Sequence, residues 1–195
     1  MNTLHSPQSI TENAALAAPG LLRRWASGLY DALIVLAICI LATFLLMPFT
    51  HSRALDTFYA HSGGLKTSYQ LGLLILGYAF FGGFWTHGGQ TIGMRTWKLR
   101  VVRLDGARLD WYRALLRYLG MLIPWLLLLL GSELLITAVQ SAQALAWRAA
   151  GALALLAALA AFLWPAFDRR RLAWHDRLSG TRLVLTDKAG NAPFA

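Results

Sequence analysis

Residues 88–117, GGQTIGMRTWKLRVVRLDGARLDWYRALLR, decide the fold because they place a dense basic stretch between two apolar runs. The basic side chains in this stretch are Arg95, Lys98, Arg100, Arg103, Arg108, Arg113 and Arg117. Clustered positive charge next to a membrane span is favoured on the cytoplasmic side of the bilayer. We therefore predict that this stretch is cytoplasmic and that it orients the apolar segments on either side.

The composition is that of one membrane domain. Of the 195 residues, 57% are hydrophobic and only 14% are charged, which is too apolar for an ordinary soluble domain. The net charge of +9 lies beside apolar runs, so anionic lipid headgroups explain it better than nucleic acid does. The single cysteine, Cys39, lies inside an apolar run, so we expect no disulfide, no metal site and no cofactor.

The apolar runs predict an all-α membrane protein built as a four-transmembrane-helix bundle. The predicted spans cover residues of about 28–49, 69–86, 115–139 and 149–167. With these spans, all but three of the 18 Lys and Arg residues lie inside, the exceptions being Arg53, Lys66 and Arg148. This distribution predicts that both termini are cytoplasmic.

Three parts of the chain differ in composition. Residues 1–20 are polar and rich in small residues, so we predict a disordered cytoplasmic tail. Residues 21–186 form the predicted membrane domain, and residues 187–195 a flexible C-terminal tail.

The basic stretch also predicts structure of its own on the cytoplasmic side. Residues 91–98 suit a short helix at the headgroups, and residues 99–104 alternate apolar and basic side chains before the turn signal Asp105-Gly106. The alternating run predicts either a local β hairpin or a small sheet with the similar run 181–186, TRLVLT. A solvated basic loop is the alternative.

Asp31 is the most conspicuous candidate for a functional site. It lies about 10 Å along the first helix, where a carboxylate is costly unless it is paired or hydrated. Arg24 is two helical turns earlier on the same face, and Arg113 and Arg117 begin the third span. Asp31 is then either a titratable group on an ion or solute path, or half of a buried ion pair that joins the first and third helices.

Glu133 and His87 are lesser candidates. Glu133 falls near the outer end of the third span, where we expect it to pair with Arg148. His87 follows the second span, and we expect it to hydrogen-bond the exposed end of that helix, although it also suits a charge switch near neutral pH.

His175 and Asp176 are adjacent in the closing basic segment. No nucleophile with an oxyanion site accompanies them, so we predict an anchor in which Asp176 meets arginines of residues 88–117. The chain is therefore predicted not to be an enzyme.

Three motifs together resemble the RDD family of bacterial membrane proteins: RRWASGLYDALI at residues 23–34, the stretch 88–117, and DRRRLAWHDRLSGTRLV at residues 168–184. That family is named for an arginine at the start of its first helix, an aspartate within that helix and a second aspartate. Arg24 and Asp31 match the first two positions, and Asp176, or alternatively Asp168, matches the third. The resemblance implies an integral protein of the bacterial inner membrane, for which transport of unidentified ligands has been suggested. The family core is usually described with fewer spans.

Two functions from different classes remain. In one, the protein carries an ion or small solute with Asp31 as the titratable group, and so small a bundle predicts a homo-oligomer. In the other, it is a membrane scaffold or accessory subunit whose basic cytoplasmic face binds anionic headgroups or an acidic protein. The ligand itself is not identified by the sequence.

Overall fold

The structure is a computed structural model that describes residues 18–50, 63–140 and 144–186. The predicted C-terminal tail, residues 1–17 of the predicted N-terminal tail, and most of the predicted outer loop before the second span lie outside these ranges. In chain order the elements are α1 (Leu21–Leu46), a 3-10 turn (Met47–Thr50), α2 (Gly63–His87), α3 (Ile92–Thr96), β1 (Leu99–Arg103), α4 (Trp111–Gln140), α5 (Ala144–Phe167), α6 (Trp174–Ser179) and β2 (Thr181–Leu185).

Three of the described helices, α1, α4 and α5, are long and apolar enough to cross a membrane. With 26 residues, α1 is about 39 Å long, which exceeds the roughly 30 Å hydrocarbon core of a bilayer. Its side chains Leu36, Ile40 and Phe44 are 55%, 60% and 67% exposed, so lipid is the solvent that suits them. The chain is therefore a membrane-type protein.

Helix α2 coincides with the predicted second span but is not among those three helices. Its 25 residues give it sufficient length, whereas polar residues such as Lys66, Ser68 and Gln70 and four internal glycines make it less apolar. The fourth span of the predicted bundle therefore stays a prediction.

Helices α4 and α5 form the most extensive helix pair of the fold. Two glycines lie at their contact, where a Cβ added to Gly131 would be 3.0 Å from the carbonyl oxygen of Gly151. Ala154 and Ala158, which lie one helical turn apart on α5, are buried. The chain itself thus supplies a close-packing partner for α5.

The two strands form one antiparallel sheet in which Leu99 pairs with Leu185 and Arg103 pairs with Thr181. This confirms the predicted sheet between the two alternating runs, whereas the local hairpin is wrong. The turn does form, since the backbone N–H of Gly106 donates to Arg103 O at 3.0 Å, but residues 107–110 are not in a strand. Pairing with β2 is favoured over a local hairpin because it buries apolar residues of both strands, Leu99 and Leu183 among them, in one core.

That core lies at the end of the bundle where α2 ends and α4 begins. Trp85 from α2 and Tyr118 from α4 pack there with Leu99, Val101 and Leu183 of the sheet. We call the layer formed by α3, β1, α6 and β2 the cap. The cap holds the short helix predicted within residues 91–98, whose position at lipid headgroups stays a prediction, and a second short helix, α6.

Candidate functional site

Asp176 is the centre of a buried ion cluster that joins three helices. It lies in α6 with its side chain 0% exposed, and its Oδ2 is 3.0 Å from Nη1 of Arg24 on α1. Its Oδ1 pairs with Arg117 on α4, and its Oδ2 accepts a hydrogen bond from the backbone N–H of Ala173 at 2.8 Å. One carboxylate therefore fastens the start of α1 and the start of α4 to the cap.

Arg117 has further contacts that hold its guanidinium in place. Its Nη1 donates to Thr181 Oγ1 at 2.8 Å, and its guanidinium carbon lies 5.2 Å from the ring centre of Trp85. Arg24 likewise donates to the backbone oxygen of Arg171 at 2.7 Å. These contacts hold both guanidinium groups in position in addition to their ion pairs with Asp176.

The charge balance of the cluster favours ionised Asp176. Burial alone would raise the pKa of Asp176, but the charges of Arg117, His175 and Arg24 and the N–H of Ala173 outweigh it. The pKa of Asp176 is therefore held well below its ordinary value, and the ion cluster persists across the physiological pH range. Such a group is suited to holding helices together.

Asp31 forms a second buried contact between α1 and the cap, and it differs in chemistry. The residue is 2% exposed, its Oδ2 accepts from the Thr91 hydroxyl at 2.5 Å, and its Oδ1 accepts from the backbone N–H of Gly93 at 2.9 Å. Thr91 also accepts from the backbone N–H of Met94 at 3.2 Å, which caps α3. Both carboxylate oxygens are thus bonded to neutral donors.

The predicted ion pair between Asp31 and an arginine is wrong. Among the residues that the structure describes, Asp31 has no ion pair, and Arg24 and Arg117 both bind Asp176. Arg113 instead donates to Ser179 O at 3.1 Å and faces Asp110. The reason is geometric, because the start of α3 packs against Asp31 and its Thr91 and Gly93 donate to both carboxylate oxygens. The contact predicted for Asp176 with arginines of residues 88–117 does form, through Arg117.

Gly93 allows this close approach of α3 to α1. A Cβ added to Gly93 would lie 2.4 Å from the backbone oxygen of Ser27 and 2.9 Å from Cγ of Asp31. Any larger residue would force the two helices apart. Gly93 and Thr91 were not among the predicted site residues, although Thr-x-Gly at the start of a short helix combines an N-cap residue with a site of close packing.

The remaining candidate residues, His87, Asp168 and Glu133, lie outside both buried carboxylate contacts. His87 Nδ1 donates to Gly83 O at 2.9 Å, so the predicted bond to the helix end forms. Asp168 accepts from the backbone N–H of Leu172 at 2.8 Å and pairs with Arg177. Glu133 is exposed, and among the described residues it has no ion pair, so its predicted pairing with Arg148 is wrong. These two side chains lie on different helices, near the far end of the α4–α5 pair.

His175 lies beside the ion cluster, with its Nε2 3.8 Å from Oδ1 of Asp176. Burial, together with the positive charge of Arg117 and Arg24, lowers the pKa of His175 to about 4, although Asp176 opposes this shift.

Within the described part of the chain, no group of three or more His, Cys, Asp or Glu side chains could hold a metal ion.

We expect His175 to make the protein less stable as the pH falls from about 6.5 to about 4. The ordinary pKa of 6.5 applies to the unfolded chain and about 4 to the folded one, so the unfolded state binds more protons in this window. Stability then rises with pH across the window and is lost as the pH falls. In His175→Gln, the melting temperature measured in detergent should depend less on pH between pH 6.5 and 4 than it does in wild type. An unchanged slope would mean that other groups cause it.

The comparisons with known proteins give one family. A family model described as the RDD family matches residues 18–180, which is most of the chain and includes both buried carboxylates. No curated protein and no solved structure matches.

Proposed function

Because this chain belongs to the RDD family, we propose that it is a multi-pass protein of the bacterial inner membrane that moves an ion or small solute, with Asp31 as the titratable group. In this proposal Asp176 and its arginines are structural, and the protein is not an enzyme and needs no cofactor. The observation that carries the proposal is the different surroundings of the two buried carboxylates.

Asp31 is suited to taking up a proton in a way that Asp176 is not. Protonating Asp176 would leave the buried guanidinium groups of Arg24 and Arg117 without a counter-charge, which is costly. Within the described ranges, Asp31 is hydrogen-bonded to the Thr91 hydroxyl and the Gly93 N–H, so its protonation leaves no described cation unpaired. An ionisable group inside a membrane helix that lacks a structural counter-ion is by default a functional candidate.

Two contacts support four spans with both ends of the membrane domain in the cytoplasm. Arg24, at the start of α1, is bonded to Asp176 of the cap, and Asp31 is bonded to α3 of the same cap. If α1 crosses the membrane, the chain must cross back before it reaches α3. Among the described elements, α2 is the one placed to make that return.

A contact at the far end of α1 supports the same topology. The Thr43 hydroxyl lies 2.5 Å from Oη of Tyr69, near the start of α2, while the opposite ends of these helices meet the cap. Helices α1 and α2 are therefore antiparallel. If α4 and α5 form a second antiparallel pair of spans, the positive-inside distribution of Lys and Arg favours a cytoplasmic cap.

We expect Asp31→Asn to lower transport at least about tenfold while the protein is made and folded normally. Asparagine keeps the size of the side chain but neither carries charge nor exchanges a proton near neutral pH. The measurement uses purified protein in liposomes that contain internal pH and ion reporters, with a series of monovalent cations outside. Asp105→Asn makes the same change on an exposed side chain and should leave flux unchanged. Equal flux in wild type and Asp31→Asn would contradict the proposal.

A second candidate is a membrane scaffold or accessory subunit that binds anionic headgroups or an acidic protein. Exposed basic side chains of the cap and the loop beside it favour it, among them Arg95, Lys98 and Arg108. Wild-type protein that shows no flux in the same liposomes, yet binds vesicles containing phosphatidylglycerol, would favour this candidate over transport.

A further inference from the structure

A cavity of about 180 Å³ lies beside the end of α2, between β1 and the loop that follows it. Its lining includes Trp85, His87 and Gly89 at the end of α2, Arg100 on β1, and Arg108 in the loop. It is separate from both buried carboxylates, and the transport proposal makes no use of it.

The cavity concentrates positive charge without a counter-charge. No Asp or Glu lines it, and within the described ranges neither Arg100 nor Arg108 has an ion pair. Their neighbours differ, since Arg103 pairs with Asp105 and Arg113 with Asp110. The arginines that line the cavity are thus available to an anion from outside the described chain.

Two buried donors of the lining residues also lack an acceptor. Nε of Arg100 and the indole Nε1 of Trp85 are inaccessible to water and have no hydrogen-bond partner among the described residues. A water-sized probe reaches neither atom, so an anion in the cavity would be held by the charges of Arg100 and Arg108 rather than by these two donors.

The backbone holds Arg100 in position at this cavity. The backbone N–H of Val101 donates to Gly89 O at 2.7 Å, and Gly89 has φ +68°. A Cβ added to Gly89 would lie 3.0 Å from Cγ of Arg100, so the arginine stem runs directly over this glycine. The site is therefore largely formed before any ligand arrives.

We propose that this cavity binds a phosphate group through Arg100 and Arg108. Guanidinium groups bind phosphate oxygens with paired, charge-assisted hydrogen bonds. The headgroup of an anionic phospholipid and a soluble phosphate share this chemistry. The cavity lies at the end of α2, which is the headgroup level if α2 spans the membrane, so the lipid is the source that we expect.

The test uses the full-length protein in phosphatidylcholine nanodiscs. In one arm, binding of phosphatidylglycerol is titrated and counted by native mass spectrometry; in the other, inorganic phosphate is titrated calorimetrically. Arg100→Gln combined with Arg108→Gln should weaken phosphatidylglycerol binding about tenfold. Arg169→Gln combined with Arg170→Gln removes the same charge from exposed positions outside the cavity and should change binding less than about twofold.

A second variant tests the cavity without changing charge. Ala107 lines the cavity and is exposed, so Ala107→Phe should fill the space and weaken binding to a similar extent, even if the double arginine variant fails to fold. Loss of inorganic phosphate binding alone would support the site with a soluble ligand. Equal losses in the two arginine pairs, unchanged binding in Ala107→Phe, or no binding by wild type in either arm would overturn the proposal. None of these outcomes depends on flux through Asp31.

Discussion

Asp176→Asn is expected to lower the melting temperature of the purified protein by about 10 °C or more and to reduce the yield of folded protein. Removing one partner of a buried ion pair typically costs about 3–5 kcal/mol, because the remaining charge stays buried without compensation. Here two guanidinium groups, those of Arg24 and Arg117, lose their shared carboxylate. For a protein of this size each kcal/mol shifts the melting temperature by about 2–4 °C.

The matched control for this prediction is Asp105→Asn. Asp105 also pairs with an arginine, but its side chain is 56% exposed, so water replaces the lost interaction and the melting temperature should not change measurably. Thermal unfolding in detergent, followed by the circular dichroism of the helices, measures both variants. Equal melting temperatures for the two variants would show that Asp176 does not fasten α1 and α4 to the cap.

Gly93→Ala should be the next most damaging change, although it adds only one methyl group. The added Cβ would meet the Ser27 oxygen at 2.4 Å, and a backbone atom of a packed helix cannot move aside cheaply. Overpacking of this kind costs about 1–3 kcal/mol, which corresponds to a drop in melting temperature of about 5 °C. It should also weaken the N–H bond to Asp31, so transport should fall with stability.

The control is Gly83→Ala, on the neighbouring helix α2. A Cβ at Gly83 would meet nothing within 4 Å, and alanine is the better helix former, so this variant should be as stable as wild type or more so. A Gly93→Ala protein with unchanged stability and flux would show that α3 does not pack tightly on α1.

The sequence predicted those parts of the fold that depend on local composition. The apolar runs located α1, α4 and α5, and the alternating pattern of residues 99–104 and 181–186 located the two strands. Helix α1 begins at Leu21 and α5 at Ala144, before the predicted spans begin, because the added residues, LLRRWAS and ALAWR, include many good helix formers.

The partners of the buried charges could not be predicted in the same way. Arg24 and Asp31 share a helix face, which suggested a cluster around Asp31, but the choice of partner depends on where α3 and α6 pack in three dimensions. Arg24 reaches Asp176, 152 positions later in the chain, and Asp31 reaches Thr91 and Gly93. Thr91 and Gly93 act through one hydroxyl and one backbone N–H, which leave little trace in composition.

The topology that follows from these two contacts is the central claim, and cysteine accessibility in intact cells tests it most directly. In a Cys39→Ser background, the variants Lys66→Cys, Arg95→Cys, Arg148→Cys and Arg170→Cys each place one thiol on an exposed position. A membrane-impermeant maleimide should label the cysteines at positions 66 and 148 from outside, and those at positions 95 and 170 only after the membrane is permeabilised. Labelling of positions 66 and 95 from the same side would show that α2 does not cross the membrane and would contradict the account.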